Sequence, residues 1–398
     1  MKFLQNLPRT VLLVGLASLF TDIAGEGIYS ILPLFLTTVL GAGPLALGII
    51  EGVAESTASM LKVFSGIWTD LTKKRKPLIL WGYGLTGFCR PLIALASVWP
   101  VVLLLRFIDR MGKGIRSSPR DALIADVTSP SNRGASYGFH SAMDDAGQLA
   151  GPFLTALLLL PFFGLSLRNV IFLSVIPGAI AWLILWGIKE KKSSSSPQQK
   201  HFHPGKDWEK LGGNFKRLLA ILLLFTLGNS TDAFLLIRLS QVGVSAAQVA
   251  MLWGLNGGVR MIASLFGGAL SDRFGRKPLM IGGWMYYALI YLAFALVSQP
   301  AGVVAVFLAY GVFYGLTEPS EKAFVADLVP DALRGTAFGY YNLVIGLGAL
   351  PASLLFGFVG QRWGYPVAFM VGAAFAGLAS LLLLSIRKNH GGPSRRRK

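Results

Sequence analysis

The sequence predicts an all-α membrane protein with twelve transmembrane helices, arranged as two similar six-helix bundles. Of its 398 residues, 53% are hydrophobic and only 14% are charged, and the mean hydropathy is +0.58. Soluble domains carry about 25% charged residues, so this composition favours a membrane location. The apolar residues also fall into runs of about 20, the length with which a helix crosses a hydrocarbon core about 30 Å thick.

Twelve apolar runs follow one another along the chain. We expect membrane spans near residues 11–38, 45–68, 78–98, 101–125, 134–160, 169–188, 218–240, 246–270, 279–298, 302–326, 336–360 and 364–386. Basic connections, such as LTKKRKP after the second run and DRFGRKP after the eighth, alternate with nearly uncharged ones such as TTVLGAGPLA and SVWP. Because basic connections remain in the cytoplasm, we expect both termini to lie there, with the chain in the cell (inner or plasma) membrane.

Two segments recur at an almost constant interval and divide the chain into similar halves. GIWTDLTKKRKP at 66–77 matches GALSDRFGRKP at 268–278, and ALIADVTSPSNRGASYGF at 122–139 matches AFVADLVPDALRGTAFGY at 323–340. Such repeats place a pathway at the interface between the halves, where one half can rock against the other. We expect an N-terminal bundle, a basic linker rich in Ser, Lys and Gln, a C-terminal bundle and a basic tail, over residues 1–188, 189–217, 218–386 and 387–398.

Several other classes of protein are disfavoured. The net charge is +18, but the basic residues cluster between apolar runs instead of forming a nucleic-acid-binding face on a soluble domain. We find no phosphate loop, dinucleotide-binding fingerprint or nucleophile elbow, so we expect neither an enzyme nor a cofactor. Cys89 is the single cysteine, and the His201 and His203 pair has no further ligands nearby in sequence, so no metal site is predicted.

The repeated loop resembles that of the major facilitator superfamily, and the resemblance extends over essentially the whole chain. GGALSDRFGRKP matches the family's loop between the second and third helices of each half, whereas LTKKRK replaces the usual arginine, glycine and arginine in the first half. The resemblance implies cytoplasmic gating, and the alternative is a loop that only turns the chain and sets its orientation. The implied gating residues are Gly66, Asp70, Gly268, Asp272, Arg273, Gly275 and Arg276.

A motif in span 5 is similar to that of proton-coupled drug antiporters in the same superfamily. It consists of Gly138, Gly147, Gly151 and Pro152. Thr155 and Ala156 stand where that family has two further glycines. The resemblance implies efflux, while small residues at this spacing also permit close helix packing alone. RMGKGIRSSPRDALIAD at 110–126 resembles a poorly characterised archaeal and bacterial branch, which implies no particular substrate.

Ionisable side chains inside the predicted spans are the candidate transport residues. A charged group at mid-bilayer costs at least about 2.5 to 3.5 kcal/mol, so each one needs a partner, a watery cavity or a function. Span 4 places most of its charges within an arc of about 100° of the helix. The predicted residues of the substrate and proton pathway are Asp22, Glu26, Glu55, Arg106, Asp109, Arg110, Lys113, Asp144, Asp232 and Arg260.

Two interpretations of these charges stay open. In one, the cations of span 4 contact an anionic group on a substrate while a carboxylate of span 1, 2 or 5 carries the driving proton. In the other, acids and bases pair between spans and never meet the substrate. The residues nearest mid-depth, which we expect to face the pathway, are Asp22, Glu26, Arg110 and Lys113.

The leading hypothesis is a secondary transporter that exports a small organic solute in exchange for protons. One alternative is uptake or exchange of an organic anion through the basic face of span 4, and another is a transporter-like sensor without net transport. The expected partners are a small-molecule substrate, protons and membrane lipids, with no nucleic acid and no cofactor. We expect the protein to act as a monomer.

Overall fold

The computed structural model describes residues 7–72, 75–128, 133–188, 208–329 and 333–386, and within these ranges every regular element is helical. The first half comprises α1 (Arg9–Leu34), α2 (Pro44–Thr72), α3 (Arg75–Leu92), α4 (Trp99–Val127), α5 (Arg133–Leu159), α6 (Leu167–Leu173) and α7 (Val175–Trp186). The second half comprises α8 (Gly213–Gly228), α9 (Ala233–Gln241), α10 (Ala246–Phe274), α11 (Arg276–Leu296), α12 (Pro300–Leu328), α13 (Arg334–Trp363) and α14 (Tyr365–Leu383). A π-helical turn over Phe35–Val39 extends α1, and a 3₁₀ turn over Ile93–Leu95 extends α3.

Two of the predicted spans are each built from two helices. The sixth is divided at Ser174 into α6 and α7, because Pro177 has no N–H with which to continue the helical hydrogen bonds. The seventh is broken over residues 229–232, between α8 and α9. There the Tyr287 hydroxyl donates to the Gly228 carbonyl at 3.1 Å, so a side chain replaces a backbone bond that the break has removed.

Eight helical segments in the described residues are long and apolar enough, by length and composition, to cross a membrane. The long helices α2, α4, α5 and α10 are not among them, although each has 27 to 29 residues. At 1.5 Å per residue such helices are about 40 Å long. Their hydropathy is low because they carry charged and amide side chains. The count of twelve spans therefore stays a prediction.

The two halves contact each other through α2 with α13, α5 with α10, and α1 with α9. The contact is closest where α2 begins and α13 ends. A side chain on Gly357 would place its Cβ 2.7 Å from the Pro44 carbonyl oxygen, and one on Gly48 would overlap the Ser353 carbonyl. Glycine at these positions lets the backbones approach, so the halves are tightly closed at this end.

The ends of α3 and α11 repeat one set of contacts. Arg75 donates to the Ala122 carbonyl and pairs with Asp126, which ties the start of α3 to the end of α4. The same contacts recur in the second half between Arg276, Ala323 and Asp327. The first-half loop therefore retains the arginine contact although its sequence departs from the family pattern.

Candidate transport site

A cavity of about 560 Å³ lies between the two halves. Ligand pockets for small molecules measure about 300 to 1,000 Å³, so this space is large enough for a drug-sized solute. Its walls come from α1, α2, α4 and α5 on one side and from α8, α10, α12, α13 and the break before α9 on the other. The predicted pathway residues that line it are Glu26, Glu55, Arg110, Lys113, Asp232 and Arg260. The predicted residues outside the lining are Asp22, Arg106, Asp109 and Asp144.

Arg106 and Asp109 belong to a buried ion-pair network in the first half. The Arg106 Nη2 atom lies 2.7 Å from both carboxylate oxygens of Glu51, and its Nη1 atom lies 3.4 Å from Asp109 Oδ2. Arg90 donates from Nε to Asp109 Oδ1 at 3.0 Å. The Arg106 and Asp109 side chains are only 4% and 1% exposed. These charges are therefore neutralised by protein groups, as the pairing interpretation requires.

Arg90 and Glu51 are the members of this network that are not among the predicted pathway residues, and Arg90 is the harder of the two to recognise. It stands alone among the apolar residues of α3, so no pattern of charges marks it. A side chain on Gly25 would clash with the Arg90 guanidinium, whose Nη2 would lie 2.7 Å from the added Cβ. The glycine thus provides the room in which Arg90 reaches the Thr21 carbonyl, at 2.5 Å, and Asp109.

Arg110 and Lys113 present cationic groups to the cavity. Among the described residues the buried Arg110 Nε atom has no hydrogen-bond partner, and it lies 3.8 Å from Asp109 Oδ2. Asp109 already accepts hydrogen bonds from Arg106 at Oδ2 and from Arg90 at Oδ1. Within the described part of the chain, no carboxylate oxygen lies within 4.0 Å of the Lys113 or Lys62 ammonium. Glu55 interacts electrostatically with all three cations. The cavity-lining charges of α2 and α4 are thus three cations, Lys62, Arg110 and Lys113, and two anions, Glu51 and Glu55, of which Glu51 is already paired with Arg106.

The second half carries one ion pair set among aromatic rings. Arg260 Nη2 lies 2.7 Å from Asp232 Oδ2, and Asp232 also accepts hydrogen bonds from Tyr310 at 2.6 Å and Tyr314 at 3.1 Å. The Arg260 guanidinium lies 3.8 Å from the Tyr314 ring centre and 5.0 Å from that of Trp253. Asp232 is thus fully engaged. Tyr310 and Tyr314 were not predicted, although their spacing of four places them on one helix face.

Two hydrogen bonds cross between the halves at the cavity. Trp253 Nε1 donates to Glu26 Oε2 at 3.1 Å, and the Tyr29 and Thr231 hydroxyls lie 3.2 Å apart. The Tyr29 and Trp253 rings also contact each other, with centres 5.1 Å apart. Glu26 is therefore a cavity-lining carboxylate whose hydrogen-bond donor belongs to the opposite half.

The predicted antiporter-like glycines lie where α5 crosses α1. A side chain on Gly147 would place its Cβ 2.7 Å from the Leu19 carbonyl oxygen, and one on Gly151 would lie 2.5 Å from that of Ile23. Pro152 follows within α5. The motif thus serves close helix packing, whatever further role it has. The surroundings of Gly138 lie outside the described residues.

The gating residues are only partly described. Gly275 precedes α11 with a φ of 90°, a conformation that favours glycine. The exposed Arg273 guanidinium lies 5.5 Å from the Phe274 ring centre, and Arg276 makes the repeated contacts given above. The side chains of Asp70 and Asp272 and the surroundings of Gly66 and Gly268 lie outside the described residues.

Comparisons with known proteins agree with this architecture. The Major Facilitator Superfamily model matches residues 14–262 and 218–398. An uncharacterised MFS-type transporter of Methanocaldococcus jannaschii is 31% identical over 388 residues, which cover 96% of both chains. The multi-drug resistance efflux pump PmrA of Streptococcus pneumoniae is 30% identical over 169 residues, 42% of each chain. The crystal structure of the nucleoside transporter NupG superposes with a TM-score of 0.78 at 13% identity, covering 95% of this chain and 98% of that one.

The all-helical fold, the apolar helices and the cavity between two related halves are thereby explained together. The family match extends over both halves, and the relatives whose names state a function are transporters and efflux pumps. The chain belongs to the major facilitator superfamily, and it is an integral membrane transporter of small molecules and not an enzyme.

Proposed function

We propose that this transporter exports a small organic solute in exchange for protons, acting as a monomer in the cell membrane with both termini in the cytoplasm. The observation that carries the proposal is that Glu26 and Glu55 line the cavity without a cation within 4.0 Å among the described residues. A carboxylate held in a membrane cavity without an ion pair can bind a proton in one state and release it in another.

Glu26 links proton binding to the movement of the halves. When ionised, it accepts a charge-assisted hydrogen bond from Trp253 across the interface, at 3.1 Å. Protonation weakens such a bond. A proton on Glu26 therefore favours states in which the two halves separate at this point, and a ligand shifts an equilibrium by its differential affinity for the two states.

The proposed direction rests on orientation and on similarity. In the orientation proposed from the basic connections, the end closed by α2 and α13 lies outside, and the cavity faces the cytoplasm. An exporter takes up its solute from that side. The partial similarity to a multi-drug resistance efflux pump, 30% identity over 169 residues, supports export.

Proteoliposomes with an acidic lumen test this function. Three probes share a naphthalene ring and differ in charge: 2-naphthoate, 2-naphthamide and 2-naphthylmethylammonium. We expect at least one probe to enter in proportion to the pH gradient while protons leave, after subtraction of passive entry into protein-free liposomes. Glu26→Gln should abolish this pH dependence and retain probe counterflow without a gradient.

The control variant is Glu209→Gln, since Glu209 is exposed and precedes α8 outside the cavity. Transport of every probe by the wild type without regard to the pH gradient would refute proton coupling. Binding of a probe without any turnover across the sealed membrane would favour the sensor interpretation.

A second candidate function is exchange of an organic anion, and Arg110 and Lys113 favour it: both line the cavity, and among the described residues Arg110 has only a 3.8 Å contact with Asp109 and Lys113 has no carboxylate within 4.0 Å. Facing them across the cavity are the rings of Phe225, Trp253 and Phe313, which suit an apolar or aromatic body. For such an exchanger, 2-naphthoate should bind more tightly than 2-naphthamide, and Arg110→Gln should remove the difference. Lys216→Gln, which changes a cation that stacks on Trp208 away from the cavity, is the matched control.

A further inference from the structure

Polar side chains of α1 and α5 face each other at three successive levels inside the first half. Ser18 contacts His140, which follows it by 122 positions, and the same spacing relates the next two levels, each four residues further along both helices. Asp22 interacts electrostatically with Asp144, and Glu26 and Gln148 both line the cavity. Because four residues make about one helical turn, the levels lie one above another on the two facing helices. We call these residues the α1–α5 seam: Ser18 with His140, Asp22 with Asp144, and Glu26 with Gln148.

The upper end of the seam is the cavity, because Glu26 and Gln148 both line it. The middle level is held close by glycine. A side chain on Gly147 would place its Cβ 2.8 Å from the Asp22 Cβ, so Asp22 lies directly against the α5 backbone. Asp144 is one turn away on that helix, and the two carboxyl groups interact electrostatically.

The lower level is a hydrogen-bonded chain. His140 Nδ1 lies 3.5 Å from Asp144 Oδ2, and His140 Nε2 lies 3.2 Å from the Ser18 hydroxyl. The imidazole therefore bridges the middle and lower levels with its two ring nitrogens. An imidazole can accept a proton at one nitrogen and release the proton of the other.

The seam continues to the protein surface. Arg120 Nη1 donates to the Ser18 hydroxyl at 3.4 Å, and Arg120 Nε lies 3.0 Å from Asp121 Oδ1. The Asp121 side chain is 51% exposed. A series of polar groups thus leads from the cavity, through the interior of one half, to an exposed carboxylate near the end of α4.

Unpartnered buried atoms accompany this series. Asp144 Oδ1 has no hydrogen-bond partner among the described residues, and neither do Nε and Nη1 of Arg116. Arg116 is only 3% exposed, and its guanidinium lies 4.0 Å above the ring of Tyr83, which bonds to Ser18. Buried polar atoms without partners are rare. A proton on the Asp22 and Asp144 pair would relieve their repulsion and provide a donor for the free carboxylate oxygen.

We propose that the α1–α5 seam is the proton route of this transporter, separate from the space that the solute occupies. This inference rests on the proposed proton coupling. Protons move between Glu26 and the lower end of the seam through the two carboxyl groups, the imidazole and the Ser18 hydroxyl, and no bond between heavy atoms changes. The Arg120 guanidinium keeps its protons and holds Ser18 beside the exposed Asp121. The groups that face the seam from neighbouring helices are Tyr83, Arg90, Lys113, Arg116, Arg120 and Asp121.

A separate route has a direct mechanistic use. In the proposed orientation the lower end of the seam faces the cytoplasm, as the cavity does. A solute that fills the cavity blocks proton release through it. The seam lets the proton leave Glu26 for the cytoplasm after the solute has entered the cavity, so the solute and the proton need not pass through the same opening.

Infrared spectroscopy of the full chain in proteoliposomes tests the seam without any solute. We expect the wild type at neutral pH to show the carbonyl band of a protonated carboxylic acid, and Asp22→Asn and Asp144→Asn each to lower it by one group. Asp145→Asn is the matched control, because Asp145 is adjacent on α5 but exposed and outside the cavity lining. A band unchanged in both seam variants would overturn the proposal.

Transport of the three naphthalene probes provides the second readout. Asp144→Asn and His140→Gln should lower pH-driven flux by at least about tenfold and leave counterflow unchanged. If Asp144→Asn or His140→Gln fails to elute as a single species, Ser18→Ala, which is a smaller change, is tested in its place. Intact pH-driven flux in these variants would overturn the route. If the wild type itself shows no pH-driven flux, the proposed function fails, and the infrared band alone decides whether the seam holds a proton.

Discussion

The two halves of the transporter share one helical framework but bring different chemistry to the cavity. In the first half, buried arginines and carboxylates form a network in which Asp109 serves both Arg90 and Arg106. In the second half, a single pair of Asp232 and Arg260 is enclosed by tyrosine hydroxyls and aromatic rings. The comparison indicates that the first half links several buried charges to one another, while the second half surrounds its central charge pair with aromatic rings and hydroxyl groups.

The difference is confined to the middle of the helices. At the start of α3, Arg75 contacts the end of α4, and at the start of α11, Arg276 makes the equivalent contacts with the end of α12. End contacts maintain the bundle in either half. In the middle of the helices the side chains differ between the halves, because there the cavity, and not the contacts at the helix ends, determines which side chains suit each position.

The strongest test compares the central carboxylates of the two halves. Asp109→Asn is expected to lower the free energy of unfolding by about 3 to 5 kcal/mol, because it leaves buried arginine charge without compensation. Asp232→Asn should cost about 1 to 3 kcal/mol, since Arg260 is 24% exposed and keeps its stacking on Tyr314. Chemical denaturation of the purified protein in detergent, followed by tryptophan fluorescence, measures both. Equal losses would show that the two charge sites are energetically alike.

A second test concerns helix packing. Gly151→Leu should destabilise the protein by about 2 kcal/mol through overpacking, because any side chain there meets the α1 backbone at the Ile23 carbonyl. In the second half, a Cβ added at Gly377 would meet no neighbouring atom within 4 Å. Gly377→Ala is therefore expected to be neutral or slightly stabilising. The same denaturation experiment measures both variants. An unchanged free energy of unfolding in Gly151→Leu would mean that α1 can move away from α5.

The helical framework was predictable because an apolar run of membrane length is by itself a strong indication of a helix. The divisions within two spans were not, because a break inside an apolar run leaves its hydropathy unchanged. At the break before α9 the lost backbone bond is replaced by Tyr287, which is 59 positions from Gly228 in the sequence. Eight segments of the described residues meet the length and composition criteria, and α2, α4, α5 and α10 do not, because charged and amide side chains lower their hydropathy.

The candidate site was predictable in part. The basic face of α4 marked Arg110 and Lys113 as cavity residues, yet periodicity did not separate them from Arg106, which Glu51 neutralises. That distinction depends on partners from other helices. Asp22, which we expect to face the pathway, lies against Gly147 of α5 and is not among the residues that line the cavity. Residues within one helical face of about 100° can border either the cavity or a neighbouring helix, so the face alone does not distinguish the two.

A third test concerns the hydrogen bond from Trp253 to Glu26, which is one of those that cross between the halves. Trp253→Phe removes the donor to Glu26 and keeps an aromatic ring, which should shift the balance between closed and open states by about 1 kcal/mol, or about fivefold. The reporter is Ser353→Cys, made in a chain whose buried Cys89 is replaced by serine. Ser353 is only 3% exposed and lies beside α2, so a thiol there is protected while this end is closed. Its labelling by a thiol reagent is expected to quicken about fivefold. Trp363→Phe, at an exposed position, is the control.

The smallest effect is expected where a charge pair lines the cavity but remains in contact with water. Lys322 Nζ lies 2.6 Å from Glu318 Oε1, and both side chains are more than half exposed. Exposed pairs of this kind contribute less than about 0.5 kcal/mol, so Glu318→Gln should leave unfolding almost unchanged. The helix α12 belongs to the second half. A large loss of unfolding free energy in Glu318→Gln would therefore show that charge pairing also stabilises the second half. The contrast between the halves would then reflect how deeply each places its charges, and not which kind of chemistry each provides.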